Sequence, residues 1–462
     1  MDSKSGPLQN PFRSLAAIFL AWKAVLFLLA ALCPGPGYDT SAHILFSQSQ
    51  HRATEFQALS PPNRLILNLF RWDALYFVNV AQRGYVYEQE WAFSWAYTRI
   101  LNIATTFLSN DSSPSLRHYI FTGVVLSNLC HLGSAIVLYL LLKTITTRRE
   151  NGRIPFIASV LHIISPAGMF LCAPYAEALF SFLNFFGMLL YASAKCTKKS
   201  TKLLVVGQDI LLLASGLFFA AATAIRSNGL LSGLIFLFDV ARSLSPVFSL
   251  RLTTLDIRRL VVTCVAGSLT VVGYIGPQLL AYREYCATSR TDLGGRPWCN
   301  SMIPSIYSWV QSTYWNVGFL QYWTLSNLPL FVLASPMLWL LSVTSAIVLS
   351  DIWRHSTEDV PKPYADRDVV RKFPNTGFCN LPELALPQLV LTITAATTFH
   401  VQIINRLSSG YPIWYLVAAE WISESKTSSK ERRHTISEWV TRGIVMYSLT
   451  QGMLFANFLP PA

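Results

Sequence analysis

The sequence predicts an all-α protein that crosses a membrane many times. Of its 462 residues, 52% are hydrophobic and only 13% are charged, whereas soluble globular chains carry about 25% charged residues. The mean hydropathy of +0.39 agrees with this class. The apolar residues form long runs separated by polar connections, which is the pattern of transmembrane helices. These observations exclude an ordinary soluble globular domain.

About eleven apolar stretches approach the length that spans a bilayer. The first is too long for the apolar core of a cleaved signal peptide, so we expect it to be retained. The fifth and sixth form a hairpin around residues 224–229. The others are 15–32, 119–142, 154–171, 173–194, 260–282, 328–349, 384–401, 410–421 and 440–459. We treat residues 1–462 as one integral-membrane domain.

The formal net charge of +12 comes from Lys and Arg clusters that follow every second span. The positive-inside rule assigns such clusters to the cytoplasm, so the charge gives no reason to expect a nucleic-acid partner. The N-terminus is then cytoplasmic, and the long loops 34–118 and 283–325 lie on the opposite side. The same topology brings Asp73, Glu177, Arg226 and His400 to that opposite face.

The first long loop contains a stretch with helical periodicity. Its apolar positions are Leu69, Trp72, Tyr76, Val80 and Ala81. This spacing predicts a short amphipathic helix at the membrane face, ending at Gly84. Asp73 lies in its first turns beside Arg71 and Trp72. The helix is either an interfacial anchor or the support of a carboxylate that accepts a proton from a sugar hydroxyl.

Two span connections carry charged residues at membrane depth. Pro174 suits the first position of a helix, which would put Glu177 in the first turn. Glu177 is there either because the helix dipole favours a carboxylate or because it contacts a substrate. Arg226 and Asn228 lie in a tight turn. Arg226 either reaches lipid headgroups or holds a phosphate through a bidentate contact.

The loop 283–325 is rich in Trp and Tyr, as are both membrane-interface belts and surfaces that stack on sugar rings. Within it, Arg296 is a second candidate for binding phosphate. His400, at the end of the ninth span, is either a lone interfacial histidine or a donor to a phosphate oxygen.

Cysteine and histidine spacings predict no metal site, and we expect no cofactor. Cys286 and Cys299 either pair in an oxidising compartment or remain free thiols. The tripeptide that begins at Asn110 is a weak N-glycosylation signal.

Five segments, in order along nearly the whole chain, resemble the GPI mannosyltransferase 2 family. They are Phe70-Arg71-Trp72-Asp73-Ala74, Tyr175-Ala176-Glu177, Arg226-Ser227-Asn228-Gly229, Arg296-Pro297-Trp298-Cys299 with Tyr314-Trp315-Asn316-Val317-Gly318-Phe319, and His400-Val401-Gln402 with Arg406. One position departs from the pattern, because Ala176 stands where Ser is expected.

The resemblance implies a multi-pass enzyme of the endoplasmic reticulum membrane with the GT-C architecture. Such enzymes transfer mannose on the lumenal side from dolichyl-phosphate mannose, here in an inverting α-1,6 transfer to the glycosylphosphatidylinositol (GPI) precursor. Asp73 matches the key carboxylate of the first lumenal loop and would act as the base. The implied substrate-binding residues are Arg71, Trp72, Glu177, Arg226, Asn228, Arg296, Trp315, Asn316, His400 and Arg406. A small membrane accessory subunit is a further implied partner.

Two other functions remain open from the sequence. A protein O-mannosyltransferase would use the same lipid-linked donor with a protein acceptor. A transporter would show matched internal repeats with broken helices, and no clear repeat is visible here.

Overall fold

The computed structural model describes residues 9–33, 37, 39–49, 61–111, 113–146, 152–196, 202–248, 253–287, 296–358, 381–425 and 431–459. Regular structure in these ranges consists of α-helices with short 3-10 segments and one π-helical turn. The all-α prediction is therefore confirmed.

The α-helices of the described ranges are numbered in chain order. In the N-terminal half they are α1 (Pro11–Leu32), α2 (Ser41–Ser49), α3 (Pro61–Leu69), α4 (Asp73–Arg83), α5 (Trp95–Ser109), α6 (Leu116–Ile145), α7 (Arg153–Ile163), α8 (Glu177–Cys196) and α9 (Lys202–Ile225). In the C-terminal half they are α10 (Gly233–Phe248), α11 (Thr254–Tyr282), α12 (Ile306–Trp315), α13 (Leu328–Glu358), α14 (Leu386–Thr397), α15 (Ile404–Leu407), α16 (Ile413–Ser425) and α17 (Glu431–Ala456).

Six helical segments in the described ranges are long and apolar enough to cross a membrane. They are Pro11–Leu32, Leu116–Ile145, Glu177–Cys196, Val205–Ile225, Thr254–Cys286 and Leu325–Ser350. Each coincides with a predicted span, so a multi-pass protein is confirmed while the count of eleven stays a prediction.

Three of the remaining predicted spans are shorter or interrupted helices. The predicted span 154–171 is helical only to Ile163, followed by a 3-10 turn at Gly168–Leu171. Pro166 lies in the gap, and proline disfavours a helical conformation in the residue before it. The predicted spans 384–401 and 410–421 correspond to α14 and α16, of 12 and 13 residues.

The helix predicted in the first long loop is broken, which corrects the sequence interpretation. The chain leaves the helix after Leu69 and begins α4 at Asp73. The break contains Trp72, whose φ of +54° lies in a region that side chains rarely adopt. Gly84 ends α4 with φ +84°, as predicted.

The predicted loop 283–325 contains regular structure in its described part. Helix α12 begins after Ser305, whose hydroxyl accepts a hydrogen bond from the Ser308 amide at 3.2 Å. Cys286 and Cys299 are disulfide-bonded, which decides between the two alternatives that the sequence left open.

The core lies where α6, α8, α9 and α11 pack side by side and α16 packs against α7. Helix α16 and the turn before it are deeply buried, with Tyr411, Trp414 and Tyr415 at 0% exposure. The His162 ring also lies within hydrogen-bond distance of the Tyr415 hydroxyl, at 3.0 Å. This packing fixes the segment 401–410 against α8 and so positions Arg406.

Candidate active site

A cavity of about 630 Å³ lies between the first long loop, the α9–α10 turn, α11, α12 and the segment 391–407. Five predicted site residues besides Asp73 line it: Arg226, Asn228, Trp315, His400 and Arg406. These residues are far apart in sequence, so the structure brings together most of the polar residues that the sequence singled out.

Asp73 is the first residue of α4, where the helix dipole favours a carboxylate. Its backbone is held by the turn before it, because the Tyr175 hydroxyl donates to the Arg71 carbonyl oxygen at 3.2 Å. The side chain of Asp73 is 27% exposed, and its Oδ2 accepts a hydrogen bond from Arg406 Nη1 at 2.7 Å. The carboxylate is thus oriented yet open to the cavity.

Glu177 lies behind the cavity wall and links two arginines. Its Oε1 accepts a hydrogen bond from Arg226 Nη1 at 2.8 Å and lies 3.5 Å from Arg406 Nε. Glu177 is 1% exposed, so it is a buried counterion rather than part of the wall. It does lie in the first turn, but α8 starts at Glu177 itself, so Pro174 precedes the helix instead of occupying its first position.

Two carboxylates and two guanidinium groups therefore form one connected set: Asp73, Arg406, Glu177 and Arg226. Burial lowers the pKa of Arg406, but the charges of Asp73 and Glu177 more than offset this and raise its pKa above the usual value. Arg406 is consequently a permanent cation at the cavity.

The turn between α9 and α10 is a 3-10 segment, Ser227–Ser232, that presents Arg226 and Asn228. The Asn228 side-chain amide lies 3.1 Å from the Tyr411 hydroxyl, which in turn lies 3.1 Å from the Asn228 carbonyl oxygen. Ser227 donates a hydrogen bond to the Tyr307 hydroxyl at 2.8 Å. These contacts tie the turn to α12 and to the buried segment before α16.

Aromatic rings form the side of the cavity next to the long loops. Tyr76 and Phe93 stack with ring centroids 4.2 Å apart, and Trp315 meets Phe93 edge-on at 5.8 Å. His400 Nε2 lies 2.9 Å from the Trp315 carbonyl oxygen, and its ring stacks on Tyr322. His400 therefore has a structural partner while it also lines the cavity.

Four predicted site residues besides Glu177 do not line the cavity: Arg71, Trp72, Arg296 and Asn316. Arg71 is fully buried and donates to Asn68 Oδ1 at 2.9 Å. Burial lowers the pKa of Arg71 to about 10, so it stays charged at neutral pH. Trp72 supplies the positive φ described above, and Asn316 ends α12 in a left-handed conformation.

Arg296 belongs to a different cluster, in which two long loops meet. Its Nη1 lies 2.7 Å from Glu88 Oε1, and its guanidinium lies over the Tyr285 ring. The Trp298 indole donates to the same Glu88 oxygen at 2.9 Å. The resemblance does not distinguish this arginine from Arg406, and only the structure shows which of the two faces the cavity.

Several cavity residues were missed by the sequence reasoning. The most informative are Tyr307 and Gln311 of α12, which line the cavity together with the predicted Trp315. The three are spaced by four residues and so lie on one face of the helix. That spacing was the available signal, but the sequence interpretation describes the segment only as a loop rich in Trp and Tyr.

The profile of a known family, described as "Mannosyltransferase (PIG-V)", matches residues 13–462. The chain belongs to this family. Its relatives include proteins named GPI mannosyltransferase 2 from Aspergillus oryzae and Aspergillus fumigatus. They are 41% and 40% identical, over 98% of this chain in both cases and over 96% and 94% of the relatives.

Membership of the PIG-V mannosyltransferase family and the six spanning helices make the chain a membrane-embedded glycosyltransferase. Among solved structures, the apo oligosaccharyltransferase of Archaeoglobus fulgidus matches with a TM-score of 0.46 and 12% identity, over 92% of this chain and 57% of that one. A likeness at this score does not bear on the chemistry of the cavity.

Proposed function

We propose that this mannosyltransferase adds the second mannose of the GPI precursor in an α-1,6 linkage. The donor is dolichyl-phosphate mannose, and transfer takes place on the lumenal face of the endoplasmic reticulum membrane within a GT-C architecture. The names of the relatives support the acceptor. The observation that carries the chemistry is a single cavity with Asp73 on one wall and two arginines beside it.

Asp73 is the base in this proposal. Arg406 engages Oδ2, and within the described residues no cation engages Oδ1, which is left to accept a proton. The proton comes from the acceptor 6-hydroxyl as its oxygen attacks C1 of the donor mannose. The C1–O bond breaks on the opposite face, its electron pair leaves with dolichyl phosphate, and the configuration at C1 inverts.

Arg226 and Arg406 neutralise the phosphate of the donor. Both line the cavity, with side chains that are 18% and 13% exposed. Guanidinium groups held in place by Glu177 are positioned to stabilise the charge that develops on the leaving group. We therefore propose that the reaction needs no metal and no cofactor, and that transfer persists in excess EDTA.

Apolar residues on the same cavity wall suit the lipid part of the substrates. Leu230, Leu231 and Leu391 lie on the wall together with Arg226. A lipid-linked donor can then place its phosphate at the arginines and its isoprenoid chain against leucines between the spans. The aromatic side, with Tyr76 and Trp315, is suited to stack on sugar rings.

The test is transfer in proteoliposomes from labelled dolichyl-phosphate mannose to a GPI precursor with one mannose. The wild type is expected to form the two-mannose product, and Asp73→Asn is expected to form none at equal protein levels. Asp111→Ala is the control, because Asp111 lies on an exposed turn and the change keeps the Asn-x-Ser tripeptide at Asn110 without creating another.

Near-normal transfer by Asp73→Asn would refute the proposal that Asp73 is the base. Transfer to a Ser/Thr-rich peptide instead of the GPI precursor would identify a protein O-mannosyltransferase. Uptake of the donor into vesicles without any product would identify a transporter. A wild type that is active only in membranes containing a co-purifying small protein would support the expected accessory subunit.

A further inference from the structure

One arginine contacts both the proposed base and its neighbouring carboxylate. Arg406 donates from Nη1 to Asp73 Oδ2 at 2.7 Å, while its Nε lies 3.5 Å from Glu177 Oε1. Its third nitrogen, Nη2, has no protein acceptor in the described part of the chain and is not among the buried nitrogens. Arg406 therefore has one donor group available to a ligand in the cavity.

The connected set is electrically balanced before the reaction, with two carboxylates and two guanidinium groups. Transfer changes this balance in two places at once. Asp73 gains a proton and loses its negative charge, while the phosphate keeps the electron pair of the C1–O bond and gains a negative charge. The cation between them is Arg406, which lines the cavity where both changes occur.

We propose that Arg406 transfers its charge pairing from Asp73 to the leaving phosphate during the reaction, with Glu177 holding it in place. This proposal rests on the proposed function and deepens it. Because protonation of Asp73 frees Nη1 and its charge, proton uptake by the base directly strengthens the stabilisation of the leaving group.

The dimensions of a guanidinium group suit this role. A planar guanidinium that donates to oxygens on its two sides, with hydrogen bonds of about 2.9 Å, spans roughly 7 Å between those oxygens. The two catalytic groups of inverting glycosidases, which act on opposite faces of the sugar, are separated by roughly 6.5–9.5 Å. One arginine can thus reach a base and a leaving group that lie on opposite faces of one mannose ring.

The proposal predicts how the product binds, independently of turnover. A short-chain polyprenyl phosphate is titrated against the full-length protein in detergent micelles, and the matching polyprenyl alcohol is the ligand control. Asp73→Asn imitates the protonated base, so it is expected to bind the phosphate about tenfold more tightly than the wild type, the size of a gained charge-assisted hydrogen bond. Binding of the alcohol is expected to stay unchanged.

The double variant separates the proposal from simple loss of a nearby negative charge. If Arg406 carries the effect, Asp73→Asn brings no gain when Arg406→Gln is also present. If Arg406→Gln does not fold, Arg406→Lys replaces it in the same comparison. In that background Asp73→Asn is expected to give a smaller gain in phosphate binding, because lysine keeps the charge but lacks the planar, forked donor group of arginine.

Equal binding by the wild type and Asp73→Asn would overturn the proposal. A gain in phosphate binding that persists in the Arg406→Gln background would overturn it as well. Loss of the nearby negative charge would then explain the gain without Arg406. A wild type that binds the alcohol but shows no preference for the phosphate would instead refute the proposed donor. Transfer assays on the same preparations decide separately whether Asp73 is the base.

Discussion

Replacing Glu177 by Gln tests whether the buried counterion organises the cavity. Glu177 is 1% exposed, and its two partners Arg226 and Arg406 have side chains that are 18% and 13% exposed. All three are well below one-third exposed, so water compensates little for a lost charge. Removing one partner of a buried ion pair costs about 3–5 kcal/mol. Because glutamine keeps the volume and one acceptor oxygen, we expect the lower end, about 3 kcal/mol.

The same substitution on the surface provides the control. Glu438 pairs with Arg442 at 3.2 Å, but their side chains are 42% and 69% exposed. Exposed pairs of this kind contribute about 0.3–0.5 kcal/mol. The free energy of unfolding is measured for both variants by titration with sodium dodecyl sulfate from mild detergent. Equal small losses in Glu177→Gln and Glu438→Gln would refute the assignment of Glu177 as the buried counterion.

A kinetic measurement distinguishes positioning from general stability. Because Glu177 contacts both arginines that are proposed to hold the donor phosphate, Glu177→Gln is expected to raise the KM for dolichyl-phosphate mannose by at least about tenfold, as expected for a charge-assisted contact. The KM for the GPI precursor is expected to change little. Equal changes in both KM values would indicate a global defect.

Three further outcomes are expected. Gly229→Ala is expected to abolish transfer, because a Cβ there would lie 2.6 Å from the Thr223 backbone nitrogen and displace the turn. Gly207→Ala is the control and is expected to keep activity, because a Cβ at Gly207 would have no atom within 4 Å. Cys286→Ser is expected to lower the free energy of unfolding by about 3 kcal/mol, which is the loop-entropy value for a disulfide of this span. Cys264→Ser is the control, because it changes an exposed free thiol and is expected to leave the free energy of unfolding unchanged. Incubation with EDTA is expected to leave transfer unchanged, and loss of activity restored by a divalent cation would refute the metal-free proposal.

Much of the site could be predicted from local sequence because its parts are local. Arg226 and His400 stood out as polar residues at the ends of apolar segments, and Asp73 stood out as a carboxylate in an amphipathic stretch of the first long loop. All three line the cavity. Such residues are costly at membrane depth, so their presence signals function without any knowledge of packing. The break before Asp73 was not predictable, because Trp72 adopts a conformation that its own residue type disfavours.

The sequence by itself determined the class of the protein and the approximate positions of the six long apolar helices. The free energy of transferring a segment into a bilayer is a sum over its neighbouring residues. It can therefore be calculated from the sequence alone. Only the tertiary structure decided which charges pair. Asp73 and Arg406 are 333 positions apart, yet their side chains lie 2.7 Å from each other. Arg296 is equally basic but contacts Glu88 instead. Pairing depends on distances set by the packing of distant helices, and no local pattern encodes those distances.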